Sequence, residues 1–366
     1  MDLPEPFLYI PMSELRTGQM LMNEKRPRIL LIRFSSLGDL VLLTALVEGI
    51  AVSFPGYELH LATKEQYREL FESNRHITRI DTLPMDAGFL ELLRLRRRLA
   101  AGRFEIIIDA HNVIRSNFLY RTLYAPGKTQ LGKDQVRKLS LIRAGKDLYR
   151  NTVSMKDRYL DLLAALGSDV PDVSTRLEPP PEAEAEADAL FEANRLTGRP
   201  VVALAPGARW DTKRWPARNF SETAAAMSGR GYGVLVIGDE SEREICRIAA
   251  SAGGCTDACG RLSLMATASV LKRASILVTN DSAPLHIAEA VGTPVVGLFG
   301  PTVRQFGYFP LLNDSIVLEK DLECRPCSRN GSRPCHIAAR DCLDTIDSSE
   351  VLSAIDLVLK SAREEK

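Results

Sequence analysis

Four short segments carry side chains that could do chemistry. SSLGD (Ser35 to Asp39) sets a carboxylate beside small residues and a glycine, so a substrate could approach the backbone closely. Asp39 could then take a proton as a general base; its plainer role is to cap the following helix. WDTKRWP (Trp210 to Pro216) holds Lys213 and Arg214 between the chain's two tryptophans. A lysine there can meet phosphate oxygens as a point charge, or the segment can be a surface loop with aromatic packing. NDSAPLH (Asn280 to His286) reads as a helix start in which Asp281 or Ser282 caps and Pro284 sits in the first turn. The N–H groups of Ser282 and Ala283 would then form a site for a diphosphate. His286 is either a ligand contact or an ordinary helix histidine. GDESE offers Glu240 and Glu242 to ribose hydroxyls, or as acids of a first helical turn.

Four of the seven cysteines lie close together as Cys324, Cys327, Cys335 and Cys342, with spacing C-x2-C-x7-C-x6-C. A four-cysteine zinc site usually has two close pairs, and here only the first pair is close. A structural zinc, a redox pair and separate thiols all stay open. The odd count, with Cys246, Cys255 and Cys259 scattered, points to a reducing compartment. The chain has neither a G-x-G-x-x-G dinucleotide turn nor a phosphate-binding loop of the Walker type in these segments.

The elements that must position these segments come in two series. RILLIRF (Arg28 to Phe34), YELHLAT (Tyr57 to Thr63) and FEIIIDA (Phe104 to Ala110) have the apolar runs of buried parallel strands, and each precedes a helical stretch. DRYLDLLAALG is a further helix, stopped by Gly167. After a proline and acidic stretch come VVALAP (Val201 to Pro206), YGVLVIG (Tyr232 to Gly238), SILVTN (Ser275 to Asn280) and PVVGLFG (Pro294 to Gly300). The alternation predicts an α/β protein of two doubly wound, Rossmann-like domains facing across a cleft. SSLGD, DAHNVIRS, APGARWDTKRW, GDESE and NDSAPLH all follow strands, where open α/β sheets bind ligands. Boundaries are expected at 1–27 (an extension), 28–175, 176–199 (a linker), 200–347 and 348–366. The last segment is an amphipathic helix, expected to pack back on the N-terminal domain.

Composition agrees with two globular domains. The 366 residues exceed what one core usually serves, with 45% hydrophobic and 26% charged residues. No apolar run reaches the ~18 to 20 residues of a membrane span. The acidic N-terminus is unlike a secretory signal, so a cytoplasmic location is expected. Net charge is zero, 47 basic against 47 acidic residues, yet residues 91–158 hold sixteen Lys or Arg against six Asp or Glu. That excess suits an anionic partner (nucleic acid, phosphorylated lipid or a nucleotide) or a set of solvated helix faces, the latter fitting RLRRRL at Arg94 to Leu99.

With these loops in order, the sequence resembles the ADP-heptose:lipopolysaccharide heptosyltransferase family, inverting glycosyltransferases of the GT-B fold. RILLIRFSSLGDLVLLTAL is similar to the family's opening strand, acceptor-side loop and helix, and DAHNVIRS to its second acceptor-side segment. VVALAPGARWDTKRWPARNF and VTNDSAPLHIAEAVGTPVVGLFGPT resemble its donor-domain signatures. The resemblance implies an acceptor-binding domain at 28–175 and a nucleotide-sugar domain at 200–347. It implies Asp39 as catalytic base and Lys213 on the donor diphosphate. Asp281, Ser282, Ala283, Glu240 and His286 would be further donor contacts, and Ser35, Ser36, Gly38 and Arg115 acceptor contacts. Ala283 stands where many members have glycine, and Ser154 where many have histidine. The implied donor is ADP-heptose or a similar nucleotide-sugar, used without cofactor or metal. The implied acceptor is the phosphorylated lipid A/Kdo core at the inner leaflet of the inner membrane, met as a peripheral protein with no transmembrane span and no nucleic acid. A GT-B nucleotide-sugar 2-epimerase and a catalytically silent nucleotide-binding or assembly protein share this architecture, and fold alone does not separate the three.

Overall fold

The computed structural model of the chain describes residues 26–337 and 339–364; most of the 1–27 extension therefore lies outside the described residues. In the N-terminal half, β1 (Arg28–Ile32), β2 (Glu58–Lys64), β3 (Ile77–Leu83), β4 (Ile106–Asp109) and β5 (Gly127–Gln130) form one parallel sheet in the order β3–β2–β1–β4–β5. In the C-terminal half, β6 (Val201–Ala205), β7 (Gly233–Val236), β8 (Cys255–Asp257), β9 (Ile276–Asn280), β10 (Val295–Phe299) and β11 (Ile316–Glu319) form a second, in the order β11–β10–β9–β6–β7–β8. The strand order reverses between β1 and β4 in one sheet and between β6 and β9 in the other. SSLGD and DAHNVIRS leave the first switch point, WDTKRW and NDSAPLH the second, which is where doubly wound sheets open a crevice.

The central strands are buried on both faces, which is why RILLI, IIID, VVALA, ILVTN and VVGLF are almost wholly apolar. The four strands absent from the sequence reading, β3, β5, β8 and β11, are the four sheet edges. Half-covered, they need no continuous apolar run, and GKTQ and CTD have none.

Helix Leu37–Ser53 has buried side chains all round, from Leu40 through Ile50. It is apolar on every side because it is covered on every side. It packs against helix Met155–Ala164 of its own domain and against helix Ala283–Ala290 of the other. One continuous apolar cluster accordingly runs from β1 and β4 to Ala205, Leu277 and Leu285.

Two segments differ from expectation in what they contain or cover. The segment 176–199 is not simply a linker, since it contains helix Pro181–Ala193, with Pro181 at the first helical position. Ala183, Ala187 and Phe191, four residues apart, are its buried face. The helix docks on Leu264–Arg273, where Lys272 meets Glu184 at 3.0 Å and Arg273 meets Asp188 at 2.8 Å. The acidic run is thus one side of a charged seam. The last helix, Ser348–Glu364, packs on the C-terminal domain rather than back on the N-terminal one. Val351, Ala354, Ile355 and Val358 make a helical stripe that is buried with Val202, Val278, Val296 and Leu298. A ready apolar sheet face in its own domain takes the stripe.

Candidate active site

A cleft of about 1140 Å³ opens between the two sets of strand ends. Its N-terminal wall is built on β1. Arg33 extends this buried strand, and its guanidinium meets the Asp39 carboxylate at 2.9 Å while donating to the carbonyl of Ala110. Ser36 is the N-cap of helix Leu37–Ser53, and Asp39, in the first turn, reaches back to it. Oδ2 accepts from the Ser36 hydroxyl at 2.6 Å and from its backbone N–H at 3.2 Å. Oδ1 accepts from the phenols of Tyr159 at 3.1 Å and Tyr308 at 2.9 Å. Tyr308 comes from the C-terminal domain, so the carboxylate joins both halves. Asp39 therefore does the helix-start work that its position suggested, and sits on the cleft as well.

Burial alone would push this carboxyl up. The Arg33 charge and the Ser36 and Tyr308 donors outweigh it and hold Asp39 well below the usual carboxylate range. His111, in DAHNVIRS, lies beside it, with Nδ1 accepting from the Phe34 N–H at 3.3 Å. Burial, then the Arg33 charge, pushes His111 down to about 3, so its ring is neutral at ordinary pH.

The opposite wall is built on β6 and β9. Trp215 is fully buried; its indole donates to Ile346 O at 2.8 Å and its backbone N–H to Asn280 Oδ1 at 2.9 Å. Asn280 in turn donates to Pro206 O at 2.8 Å. This one side chain ties three loops together and fixes Lys213 over the helix start. Lys213 Nζ meets Asp281 Oδ2 at 2.6 Å and Asp281 O at 3.1 Å. A lysine has three donors, so one is left for a ligand. Thr302 also donates to Asp281 Oδ2, at 2.5 Å. Ser282 is the N-cap and Pro284 lies in the first turn of helix Ala283–Ala290, as the spacing implied. Asp281 is thus the counterion of Lys213 rather than the cap.

His286 lies on this helix, buried, with Nδ1 lacking a hydrogen-bond partner among the described residues. Burial pushes it down to about 4. A Cβ added at Gly38 would come within 2.9 Å of the His286 ring, so glycine at that position lets the two domains meet.

The cleft brings together Ser36, Gly38, Asp39, Lys213, Asp281, Ser282, Ala283 and His286. Ser35, Arg115 and Glu240 are not on its lining. Arg115 is exposed and donates to Ala87 O at 3.0 Å. Glu240 is exposed and paired with Arg243. The cleft-lining carboxylate of GDESE is Glu242, which accepts from the Asp239 N–H at 3.1 Å and whose carboxyl burial pushes up. Ser154 caps helix Met155–Ala164, accepting from Asp157 N–H at 3.0 Å. The four clustered cysteines line a separate recess of about 270 Å³. All seven cysteines are free thiols, and among the described residues no group of three or more His, Cys, Asp or Glu is arranged to hold a metal ion.

Arg33, Tyr159 and Tyr308 were missed in the sequence. Arg33 had a signal, a lone charge inside an apolar strand run, because a buried cation must find a partner. The tyrosines had none, since only folding brings positions 159 and 308 to position 39.

A family description, glycosyltransferase family 9 (heptosyltransferase), matches residues 92–337. Lipopolysaccharide heptosyltransferase 1 of Pseudomonas aeruginosa is 28% identical over 317 residues, covering 82% of this chain and 86% of the relative. The crystal structure of a family 9 glycosyl transferase from Veillonella parvula superposes with a TM-score of 0.78 at 23% identity, covering 93% of this chain and 99% of that one. The structure of the Escherichia coli ADP-heptose lipopolysaccharide heptosyltransferase II gives 0.70 at 22% identity, covering 93% and 100%. The fold they share with this chain is GT-B.

Proposed function

Because the chain belongs to glycosyltransferase family 9, the heptosyltransferases, we propose that it moves heptose, or a closely related sugar, from its ADP-linked form to an acidic inner-core acceptor of lipopolysaccharide, with inversion. The observation that carries this reading is one cleft holding a buried carboxylate on one wall and a lysine over a helix start on the other. An inverting transfer needs both. A base takes the acceptor's proton on one face of the sugar, and a positive site receives the departing diphosphate on the opposite face.

Asp39 is the base in this scheme, with Lys213 and the N–H groups of Ser282 and Ala283 on the diphosphate. Asp39 is held by so many donors that it is a poor base as it stands. Tyr308 reaches it from the other domain at 2.9 Å. An acceptor hydroxyl arriving in place of that phenol makes the same bond, and losing the phenol raises the basicity of the carboxylate. Glu242 takes the ribose contact first assigned to Glu240, because it faces the cleft. The transition state has oxocarbenium character, as in glycoside hydrolysis. Negative charge growing on the diphosphate is stabilised by the lysine and the helix start, so chelators are expected to leave the rate intact. No helix of the described residues is long and apolar enough to cross a membrane; the protein would meet its lipid-anchored acceptor from the cytoplasmic side.

The test supplies ADP-heptose with and without deacylated inner-core acceptor and follows ADP release and the sugar product. Release that needs the acceptor supports transfer. Conversion of the sugar nucleotide without acceptor would make the protein an epimerase instead.

A further inference from the structure

The basic run RLRRRL takes no part in the cleft, since none of Arg94 to Leu99 is on its lining. It lies on helix Phe89–Ala100, whose Leu92, Leu95 and Leu99 pack on the N-terminal sheet with Leu30 and Ile32. Leu90, Arg94 and Arg97 are spaced by four and three residues, so they share the outward face, and all three are exposed. Helix Ile114–Thr122 runs beside it, with Leu119 buried in the same cluster and Ile114 and Arg121 exposed. Three contacts hold the pair together. The rings of Phe89 and Phe118 lie 5.6 Å apart, Arg96 donates to Thr122 O at 2.9 Å, and Arg115 donates to Ala87 O at 3.0 Å.

This pairing gathers Met85, Phe89, Leu90 and Ile114 at the starts of the two helices. They are four of the twelve large apolar side chains exposed among the described residues; Ile114 is 91% exposed and Leu90 64%. A cluster of that kind marks a surface that meets something. It sits at the rim of the acceptor wall, because His111, which lines the cleft, precedes Ile114 by three residues. Behind the apolar tips the outward face is cationic. Arg97 and Arg121 have no ion pair among the described residues. Of the acids there, Glu91 is taken by the Gly88 N–H at 3.0 Å and by Arg94 at 3.5 Å, which leaves Asp86. Apolar tips beside unmatched arginines suit the boundary of an anionic bilayer, where the tips leave water and the cations stay at the phosphates. A second copy of the chain is a poorer partner, because a two-fold axis through this face would set the same arginines against one another.

We propose that the outward face of these two helices docks on a bilayer of anionic phospholipid. Phe89, Leu90 and Ile114 enter the boundary between headgroups and acyl chains, and Arg94, Arg97 and Arg121 lie at the phosphates. The inference rests on the lipid-anchored acceptor of the reading above and names the surface by which the protein reaches it. Docking by this face brings the rim of the acceptor wall to the bilayer surface. An acceptor still held by its acyl chains then needs to lift only its sugars into the cleft.

The experiment floats the full chain with vesicles, no acceptor present. One set contains phosphatidylethanolamine with phosphatidylglycerol, the other phosphatidylcholine alone. Wild type is compared with the double variants Leu90→Ser, Ile114→Ser and Arg94→Gln, Arg97→Gln, all at exposed positions, with unchanged melting temperatures as the check on folding. Wild type should float with the anionic vesicles, far less with the neutral ones, and let go as salt rises. The serine pair should weaken binding on the order of 10- to 100-fold, and the glutamine pair about 5-fold for each arginine. Sugar transfer to deacylated acceptor in solution should be unchanged in both variants, while transfer to acceptor held in anionic vesicles falls with binding. Wild type that ignores anionic vesicles would overturn the docking face, as would variants that bind like wild type. A wild-type dimer that the serine pair breaks apart would give the patch to a second copy instead. Vesicle binding that follows the variants, without any sugar transfer, would leave the docking face standing and sink the activity proposed above. Transfer to soluble acceptor without vesicle binding would do the reverse.

Discussion

Asp39 carries two loads that one substitution can separate. It accepts from Arg33, Ser36, Tyr159 and Tyr308, so it is part of the frame, and in the proposed reaction it also takes a proton. Asparagine keeps the shape and can still accept, yet it cannot take the proton. Asp39→Asn should therefore lower transfer by about 10²- to 10⁴-fold while ADP-sugar affinity barely moves. It should also destabilise the fold, because Arg33 loses its buried counterion. Turnover and affinity are to be read well below the variant's melting temperature, and near-normal transfer would remove Asp39 as the base. For Lys213, substitution by alanine strands Asp281 without its counterion, so the cleaner variant is Lys213→Ala combined with Asp281→Asn. KM for the ADP-sugar should rise roughly 10- to 150-fold; an unchanged value would put the diphosphate elsewhere. The two cleft histidines set a pH response. His111 and His286 are held to about 3 and about 4, below the ordinary ~6.5, so the unfolded chain binds more protons than the native one as pH falls below 6.5. Stability is lost through that window, down to the folded-state values, by up to roughly 1.4 kcal/mol per pH unit for each group. Glu289, pushed up to about 7 by burial, acts in the opposite sense between about 4.5 and 7. The readout is therefore the difference between wild type and the double variant His111→Gln, His286→Gln, whose melting temperature should fall less on going from pH 6.5 to 4.5. Parallel curves would mean that these rings do not set the response.

Among elements, the final helix makes the sharpest claim, since its amphipathic stripe would suit an apolar face on either domain. Ile355 is wholly buried against the C-terminal sheet. Ile355→Ala should cost about 2 to 5 kcal/mol. Faster hydrogen exchange should appear in β9 to β11 and not in β1 to β5. Loosening of the N-terminal sheet instead would return the helix to that domain. The helix Pro181–Ala193 shows why composition alone misled. Its alternating glutamates and alanines look like a solvated spacer, but Ala183, Ala187 and Phe191 share one face, and on the flank Glu184 meets Lys272 and Arg273 while Asp188 meets Arg273. Neither partner is near in sequence, so the seam could not be read before the fold.

At the scale of the whole molecule the two domains touch where glycine permits it. Helix Leu37–Ser53 brings Gly38 against His286 across the cleft. A methyl group there must push the histidine, and with it the second domain, away. Gly38→Ala should lower kcat while leaving ADP affinity close to normal, and should enlarge the radius of gyration measured by small-angle scattering. Adding His286→Ala should restore compactness, whatever it does to the rate. An unchanged radius and rate in Gly38→Ala would mean that this contact does not govern closure.

By itself the sequence determined the two-domain α/β plan, the seven interior strands and the loops that end at the cleft. Period, run length and the position of a loop after a strand are local properties, and buried parallel strands have to be apolar whatever lies beside them. Asp39, Lys213 and the helix start at Ser282 were legible for the same reason, each being the local end of an element. What tertiary structure decided was every choice between partners. It selected Glu242 over Glu240 for the cleft, made Asp281 the counterion of Lys213, brought Tyr159 and Tyr308 to Asp39, and chose the domain that the last helix covers. These depend on which distant side chains arrive at the same few ångströms. A carboxylate two residues further along a turn, or an apolar stripe with two sheets to choose from, is settled only when burial and charge are satisfied for the whole chain at once.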